Sequence, residues 1–467
     1  MPLSLHDFER DALATLTTYA TLECLSPAFD DQWVTNGHID AALNLLAQWA
    51  RERSLGDFCV DAVRLEGRTP VLLVTVEATN DDEATVVLYG HLDKQPPLGD
   101  WSEGLAPYAP IRRGNRLFAR GVADDGYATF SALLALEQLV AEGTPHSRCV
   151  VLIEASEESG SPDLDAYLDH LTDQLGRVEL MICLDSGALT YDRLWVTTSL
   201  RGLASVEVTV EVLTRGQHSG TASGIVPSSF RILRQLIDRL EDARTGTILL
   251  DELHGPIPDE ARRAAADVAK EFGDGVTEGL PIVPALSLMG DDVAERILNQ
   301  TWRPMLSVVG MSGIPAPEVA GNVLRPSTTA SLSFRLAPNV DAQRALDAVE
   351  RVLTTDVPHG ARVTVHGHAA DGWFTPPLAP WLASALDDAS QSAFARAAGY
   401  TGEGGTIPFL ASLGKRYPGV QFVATGVLGP DSNAHGIDEM LDLPTTVAVT
   451  NAVTCVLAAF AIRKDAS

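Results

Sequence analysis

The sequence predicts an α/β protein whose sheet carries helices on both faces, with a separate α+β unit inserted into it. Three observations carry this prediction. Near-continuous apolar strands alternate with helices through the first part of the chain, the pattern of a sheet buried on both sides. After Arg201-Gly202 the strands switch to period-two alternation, which marks a sheet with one wet face. The chain has 467 residues, too many for one ordinary core. The boundaries that follow are 1–200 for the first part of the outer domain, 201–370 for the insert and 371–467 for the second part.

The elements come in this order. Two amphipathic helices open the chain, about Leu5 to Leu22 and Ile39 to Arg53, the second with Leu43, Leu45, Leu46 and Trp49 as its apolar stripe. Strands follow at Val71–Val76 and Thr85–Tyr89, a helix at Tyr127–Val140, a strand at Cys149–Ile153, a helix at Leu164–Leu175 and a strand at Leu180–Leu184. In the insert, Ser205–Val212 and Thr329–Leu336 alternate, with Val206, Val208, Val210 and Val212, then Ala330, Leu332, Phe334 and Leu336, on one face. Pro227–Leu240 and Ala342–Leu353 are expected as helices on that sheet. The stretch Gly255–Ser307 is charged and irregular and has no clear place. The α/β character returns with the strand Val420–Thr425 and an apolar helix at Val447–Ile462, whose Thr450, Asn451 and Thr454 suit a packed helix better than a membrane span.

Composition narrows the function. A formal net charge of −28 argues against nucleic acid and anionic membranes as partners. Five cysteines without a CxxC pair suggest a reducing compartment rather than a disulfide frame. The first residues show no basic region followed by an apolar stretch, so no signal peptide is expected and the location reads as cytoplasmic.

The chemistry lies in acids and histidines just beyond strand ends, where ligands gather in such sheets. His91-Leu92-Asp93 ends the strand Ala84–Gly90, and the i, i+2 spacing lets Asp93 hold the His91 ring through its other nitrogen. Asp124-Asp125 precedes a helix, where an acid is an ordinary cap but can also bridge two cations. Glu157-Glu158 follows a buried strand, and two adjacent acids there repel unless something positive sits nearby. They are either solvated or divided between a metal ligand and a base. Asp185 follows Met181–Leu184, and His435 lies in a polar loop. Mixed histidine and carboxylate ligands suit zinc, manganese or cobalt better than magnesium. With one bridging acid, five ligands can hold two ions roughly 3.5–4 Å apart.

These motifs, with Glu154-Ala155-Ser156-Glu157-Glu158-Ser159-Gly160, Gly216-Gln217-His218-Ser219-Gly220, Gly404-Gly405-Thr406-Ile407-Pro408 and Ser432-Asn433-Ala434-His435, resemble in order the dinuclear-zinc hydrolase superfamily. That superfamily includes carnosine dipeptidases, glutamate carboxypeptidases, acetylornithine deacetylase and succinyl-diaminopimelate desuccinylase, and the double-Asp loop and Gly-Gly-Thr-Ile-Pro stretch resemble its dipeptidase branch most. The resemblance implies a zinc-exopeptidase-like mixed α/β sheet with an inserted lid and dimerisation domain. It implies two divalent metal ions, zinc first and manganese or cobalt as alternatives. His91, Asp124 and Asp185 would hold one ion, and Asp124, Glu158 and His435 the other. Glu157 would be the general base acting on a water shared by both ions, and Asp93 would orient His91. His218 would steady the oxyanion, often across a dimer. Arg335 would bind a substrate carboxylate, while Asn322 and Gly404, Gly405 and Thr406 would line the substrate site.

The expected activity is hydrolysis of a dipeptide or small peptide-like substrate, with a homodimer formed through the insert. An N-acyl-amino-acid deacylase is the rival enzyme reading; a non-catalytic scaffold is the rival from another class. Two departures from the dipeptidase pattern bear on specificity: Gly126 stands where lysine is common after the double Asp, and Gly402 where arginine often precedes the Glu-Gly-Gly run.

Overall fold

A computed structural model describes residues 2–278 and 280–463. In chain order, the strands that build the two main sheets are β1 (Phe58–Val63), β2 (Val71–Val76), β3 (Ala84–His91), β4 (Arg148–Glu154), β5 (Arg177–Cys183), β6 (Trp195–Leu200), β7 (Gly202–Glu211), β8 (Met305–Ser312), β9 (Ser327–Leu336), β10 (Arg362–Ala370) and β11 (Gln421–Ala424). The helices used below are α1 (His38–Arg51), α2 (Ala128–Glu142), α3 (Ser229–Ile237), α4 (Val293–Thr301), α5 (Ala342–Thr354), α6 (Pro380–Phe394) and α7 (Leu443–Ala461). The chain forms two compact units. One is Met1–Thr197, Thr375–Tyr400 and Ser412–Ser467; the other is Thr198–Phe374 and Thr401–Ala411.

The first unit is built on a mixed sheet that runs β1-β2-β4-β3-β5-β11-β6, with two further strands, Trp373–Phe374 and Gly399–Glu403, paired to β6. Its centre, β4-β3-β5-β11, is parallel, and β1, β2 and β6 join antiparallel. Every residue of β2 and β3 is buried, as their unbroken apolar runs require in a sheet covered on both faces. The helices supply the covering side chains: Trp49 of α1 meets Phe130 of α2 edge-on, with ring centroids 4.6 Å apart. Among the described residues, α7 is the one helix long and apolar enough to cross a membrane, yet 67% of its apolar window is buried inside the fold. Its polar residues have partners there. Thr450 donates to Ser131 Oγ at 2.9 Å, and Asn451 pairs with the backbone of Leu3 through both its amide oxygen and nitrogen.

The expected first helix is interrupted. Leu5–Phe8 and Ala14–Ala20 flank a wider π turn at Glu9–Leu13. The chain carries a cation to the far end of this helix: buried Lys94 donates to the carbonyl oxygens of Tyr19, Ala20 and Leu22, at and just past its C-terminus.

The second unit has an antiparallel sheet in the order β8-β9-β7-β10. Burial in β7 and β9 alternates residue by residue. Val206, Val208, Val210, Ala330, Leu332, Phe334 and Leu336 pack with Ile232, Leu233 and Leu236 of α3 and Ala345, Leu346 and Val349 of α5. The stretch that looked irregular contains a helix at Asp259–Phe272, then α4 and the start of β8. Its first helix buries only Ala265 and Val268, which leaves little apolar periodicity to detect.

Candidate metal centre

Parallel β3, β4 and β5 all end at one edge of the first unit's sheet, where His91 pairs in register with Glu154. The loops that leave this edge carry the acids. His91 is the last residue of β3 and is buried. Its Nδ1 lies 3.0 Å from the carbonyl oxygen of Asp93 and 3.5 Å from the Asp93 carboxylate. A carbonyl can only accept, so Nδ1 carries a proton and Nε2 is the nitrogen turned toward the acids. Nε2 is 3.3 Å from Asp124 Oδ1, 3.8 Å from Asp185 Oδ2 and 4.0 Å from Glu157 Oε2.

Asp124 faces both histidines. Its Oδ1 points to His91, and its Oδ2 lies 3.0 Å from His435 Nε2. His435 Nε2 is also 3.1 Å from Glu158 Oε2. His91, Asp124, Glu157, Glu158, Asp185 and His435 therefore converge within the first unit. Two triads place their donor atoms within 4.8 Å of one another: His91, Glu157 and Asp185; and His91, Asp124 and Glu158. By distance alone Glu157 is as close to ligating range as Glu158.

The electrostatics fit cations. Burial pushes the Glu157 carboxyl well above its ordinary range, and Asp185 pushes it further. Glu158 is raised by burial and by Asp124. Burial disfavours the charged His91 ring, but its contacts with Asp124 and Asp93 outweigh this and raise it well above an ordinary histidine. His435 is pushed up to about 11 because hydrogen bonds to Asp124 and Glu158 overcome burial. For Asp124, burial is outweighed by the hydrogen bonds from His435 and His91, which hold the carboxyl below its usual range. Without metal, protons on the two imidazoles supply the positive charge that this cluster of acids demands. A donor set of imidazole and carboxylate, buried except for the half-exposed His435 and short of positive charge, suits divalent cations.

Asp93, expected from the sequence to hold the His91 ring, has a second role, and the supporting residues Glu439, Arg120 and Gln95 were not found by sequence reasoning. The Asp93 carboxylate accepts the backbone N–H groups of Glu157 at 3.2 Å and Glu158 at 3.1 Å, and so fixes the turn that carries both acids. Glu439 is fully buried. It accepts from Arg120 at 2.8 Å and from the backbone N–H groups of Gly121, Ala123 and Asp124. Arg120 also donates to the Gly436 carbonyl oxygen at 2.5 Å, joining the Asp124 loop to the His435 loop. Gln95 donates to Glu158 Oε2 at 2.7 Å. The only sequence signal for Glu439 was an acid four residues after His435.

The remaining candidates lie in the second unit. His218 is exposed on a short strand paired with Val323–Leu324, and the Asn322 carbonyl oxygen accepts the Ser219 N–H at 2.9 Å. Arg335 donates from Nη1 to Thr406 Oγ1 at 2.9 Å, and Thr406 donates to the Arg201 carbonyl oxygen at 2.6 Å. Gly404 and Gly405 precede Thr406 in the same turn. Arg201 was not singled out in the sequence.

Both departures from the dipeptidase pattern have steric reasons. A Cβ on Gly126 would lie 2.3 Å from the Gly121 carbonyl oxygen and 2.3 Å from the Tyr19 ring. A Cβ on Gly402 would lie 2.4 Å from Ser199 Oγ. Neither position has room for a side chain.

A family model described as "Peptidase family M20/M25/M40" matches residues 87–459. A cysteinylglycine-S-conjugate dipeptidase of Corynebacterium striatum is 27% identical over 382 residues, which is 80% of this chain and 80% of that protein. Among solved structures, an M20 family metallo-carboxypeptidase of Sulfolobus solfataricus superposes with a TM-score of 0.80 at 19% identity, covering 97% of this chain and 99% of that one. A di-peptidase of Saccharomyces cerevisiae gives a TM-score of 0.76 at 20% identity, over 99% and 98% of the two chains.

Proposed function

The chain belongs to peptidase family M20/M25/M40, and from that membership we propose that it is a metal-dependent dipeptidase acting at the centre around Asp124. The observation that carries this reading is the two-sided placement of Asp124, one oxygen toward His91 and the other toward His435. A carboxylate so placed suits a pair of ions sharing one ligand.

His91, Asp124 and Asp185 would hold one ion, and Asp124, Glu158 and His435 the other, with zinc first and manganese or cobalt as alternatives. Bound there, two divalent cations would polarise the scissile carbonyl and make a nearby water more acidic. Glu157 takes the proton from the attacking water and returns it to the departing nitrogen. Its proton affinity, raised by burial and Asp185, supports this role. Asp93 aims the His91 ring and the Glu157 turn. His218 donates a hydrogen bond to the oxyanion, an interaction of roughly 2.7–4 kcal/mol in such sites. Arg335 and Thr406 anchor the substrate's carboxylate, with Asn322, Gly404 and Gly405 beside it.

The name of the Corynebacterium relative supports a dipeptide substrate. Five scattered cysteines without a CxxC pair support a reducing, cytoplasmic setting. The insert, near residues 201–370, would act as lid and dimerisation domain. Its edge strand β8 exposes Val308 (51%), Val309 (68%) and Met311 (47%), and an apolar edge is a ready pairing template. Val309→Glu is expected to yield monomers by light scattering; an unchanged mass would remove β8 from the interface.

The reaction is tested with a panel of dipeptides, cysteinylglycine and β-alanylhistidine among them, against N-acetyl amino acids. Dipeptides should be cleaved and acyl amino acids spared; the reverse would make the chain a deacylase. Glu157→Ala should keep its metal and lose nearly all turnover. Wild-type turnover in that variant would refute the assigned base.

A further inference from the structure

Arg201 lies in the second unit between β6 and β7 and is only 9% exposed. Among the described residues no carboxylate forms an ion pair with it; its recorded acceptors are backbone carbonyls. Nε donates to Gly404 O at 3.3 Å, and Nη1 donates to Asn299 O at 3.3 Å and Arg303 O at 3.5 Å. Burial, with Arg335 nearby as the second cause, pulls its pKa down to about 10. A guanidinium sequestered without an acid is costly. Placing it near a second guanidinium adds to that cost.

The contacts show what this arrangement organises. Asn299 is near the end of α4 and Arg303 just beyond it, so the cation sits where a helix leaves its carbonyls unpaired. Gly404 belongs to the turn that carries Thr406. Arg201's own carbonyl oxygen accepts the Thr406 hydroxyl, which in turn accepts Arg335 Nη1. One residue thus joins three segments far apart in sequence to the guanidinium of Arg335. Gly404 is fitted to this contact, since a Cβ there would lie 3.1 Å from Arg201 Nη2 and 3.1 Å from Gln300 O.

We propose that Arg201 is a positioning residue that sets Thr406 and Arg335 as a preformed anchor for the substrate's C-terminal carboxylate. This rests on the reading of Arg335 and Thr406 as that anchor. It also gives α4, part of the stretch that the sequence left unplaced, a part in substrate recognition. Lysine cannot replace Arg201, because one ammonium cannot span Gly404, Asn299 and Arg303 with the geometry of a planar fork.

The test uses the full-length, zinc-loaded protein with cysteinylglycine and its C-terminal amide, each as substrate and as competitive inhibitor of the other. Arg335→Ala tests the underlying reading: it should raise KM for the free acid and leave the amide nearly unchanged. Arg201→Ala should do the same, by roughly 10- to 100-fold, the scale of losing a hydrogen bond to a charged group. Arg201→Lys should stay impaired, and Thr406→Val should show the same split between acid and amide. If Arg335→Ala discriminates but Arg201→Ala weakens both compounds alike, Arg201 is a structural brace and the proposal fails alone. Recovery by Arg201→Lys would also overturn it, since charge would then suffice. If Arg335→Ala fails to discriminate, the anchor reading fails, and the proposal with it. Thermal unfolding of each variant separates these outcomes from loss of fold, and Thr406→Val removes only one hydroxyl, with its hydrogen bonds to Arg335 and to the Arg201 carbonyl oxygen.

Discussion

The Glu157 backbone N–H donates to the carboxylate of Asp93 at 3.2 Å, and the other oxygen of that carboxylate takes the Glu158 N–H at 3.1 Å. The closest partner of the His91 ring is instead the Asp93 backbone carbonyl, at 3.0 Å. Asp93 thus orders two loops at once: its main chain holds the imidazole, and its side chain holds the turn bearing both glutamates.

Asp93→Asn makes a specific test of that division. The amide keeps one acceptor oxygen but turns an NH2 toward a backbone N–H, while the carbonyl beside His91 is untouched. Turnover or metal affinity should fall by about 10- to 100-fold, the usual cost of disturbing a ligand's outer support. Equilibrium dialysis with zinc and steady-state kinetics measure the two. A variant indistinguishable from wild type in both would show that the Glu157 turn holds itself.

Glu439→Gln disturbs a different support. The buried Arg120–Glu439 pair keeps the Asp124 loop and the His435 loop together. Glutamine leaves Arg120 charged and without its carboxylate, so the metal-free protein should lose about 3–5 kcal/mol in urea unfolding. Zinc affinity should fall as well, because Asp124 and His435 are the side chains those loops present. A stable variant with weakened zinc binding would keep the positioning role and revise the energetics. A destabilised variant with unchanged zinc binding would remove the positioning role.

The contrast between these residues explains what could be read from the sequence. His91, Glu157 and Asp185 each follow an apolar strand, so chain order alone brought them to one sheet edge. Asp124 was recognisable as a doubled acid before a helix, and His435 through its surrounding motif. Arg120 and Glu439 are 319 positions apart, and nothing local in either marks the contact. Arg201 was invisible for a similar reason: its partners are backbone carbonyls, which have no sequence signature. The alternation of β7 and β9 was legible because each has one buried face. The helix at 259–272 was not, because it buries too little to impose a period.

Metal binding should release protons. In the metal-free protein His91 and His435 hold protons well above the ordinary imidazole range, and Glu157 and Glu158 hold theirs above the ordinary carboxylate range. A cation must displace those protons from the groups that ligate it. Raised proton affinities therefore oppose binding at low pH, and zinc affinity should rise from about pH 6 to about pH 8. Calorimetry in buffers of different ionisation enthalpy counts the protons. Proton uptake, or affinity that does not change with pH, would contradict the charge assignment.

Glu154 bears on stability rather than chemistry. It is buried at the end of β4, accepting from Tyr89 at 2.5 Å and Ser161 at 2.8 Å through one oxygen and from Ser156 at 3.3 Å through the other. Burial is the main cause that pushes its pKa up to about 7 from 4.5. Below 4.5 the folded and unfolded chains both hold this proton, and it makes no difference to stability. Between 4.5 and about 7 the unfolded chain has lost the proton while the folded chain keeps it, so stability falls as pH rises. Above that window the full cost of a buried carboxylate remains, up to about 3 kcal/mol. Glutamine has nearly the same shape, can accept from Tyr89 and Ser161 through its oxygen, and can donate to Ser156 through its nitrogen. Glu154→Gln should therefore match wild type in urea unfolding of the metal-free protein near pH 4 and exceed it near pH 8. An equal difference at both pH values would mean that the substitution acts through packing and that the Glu154 proton plays no part.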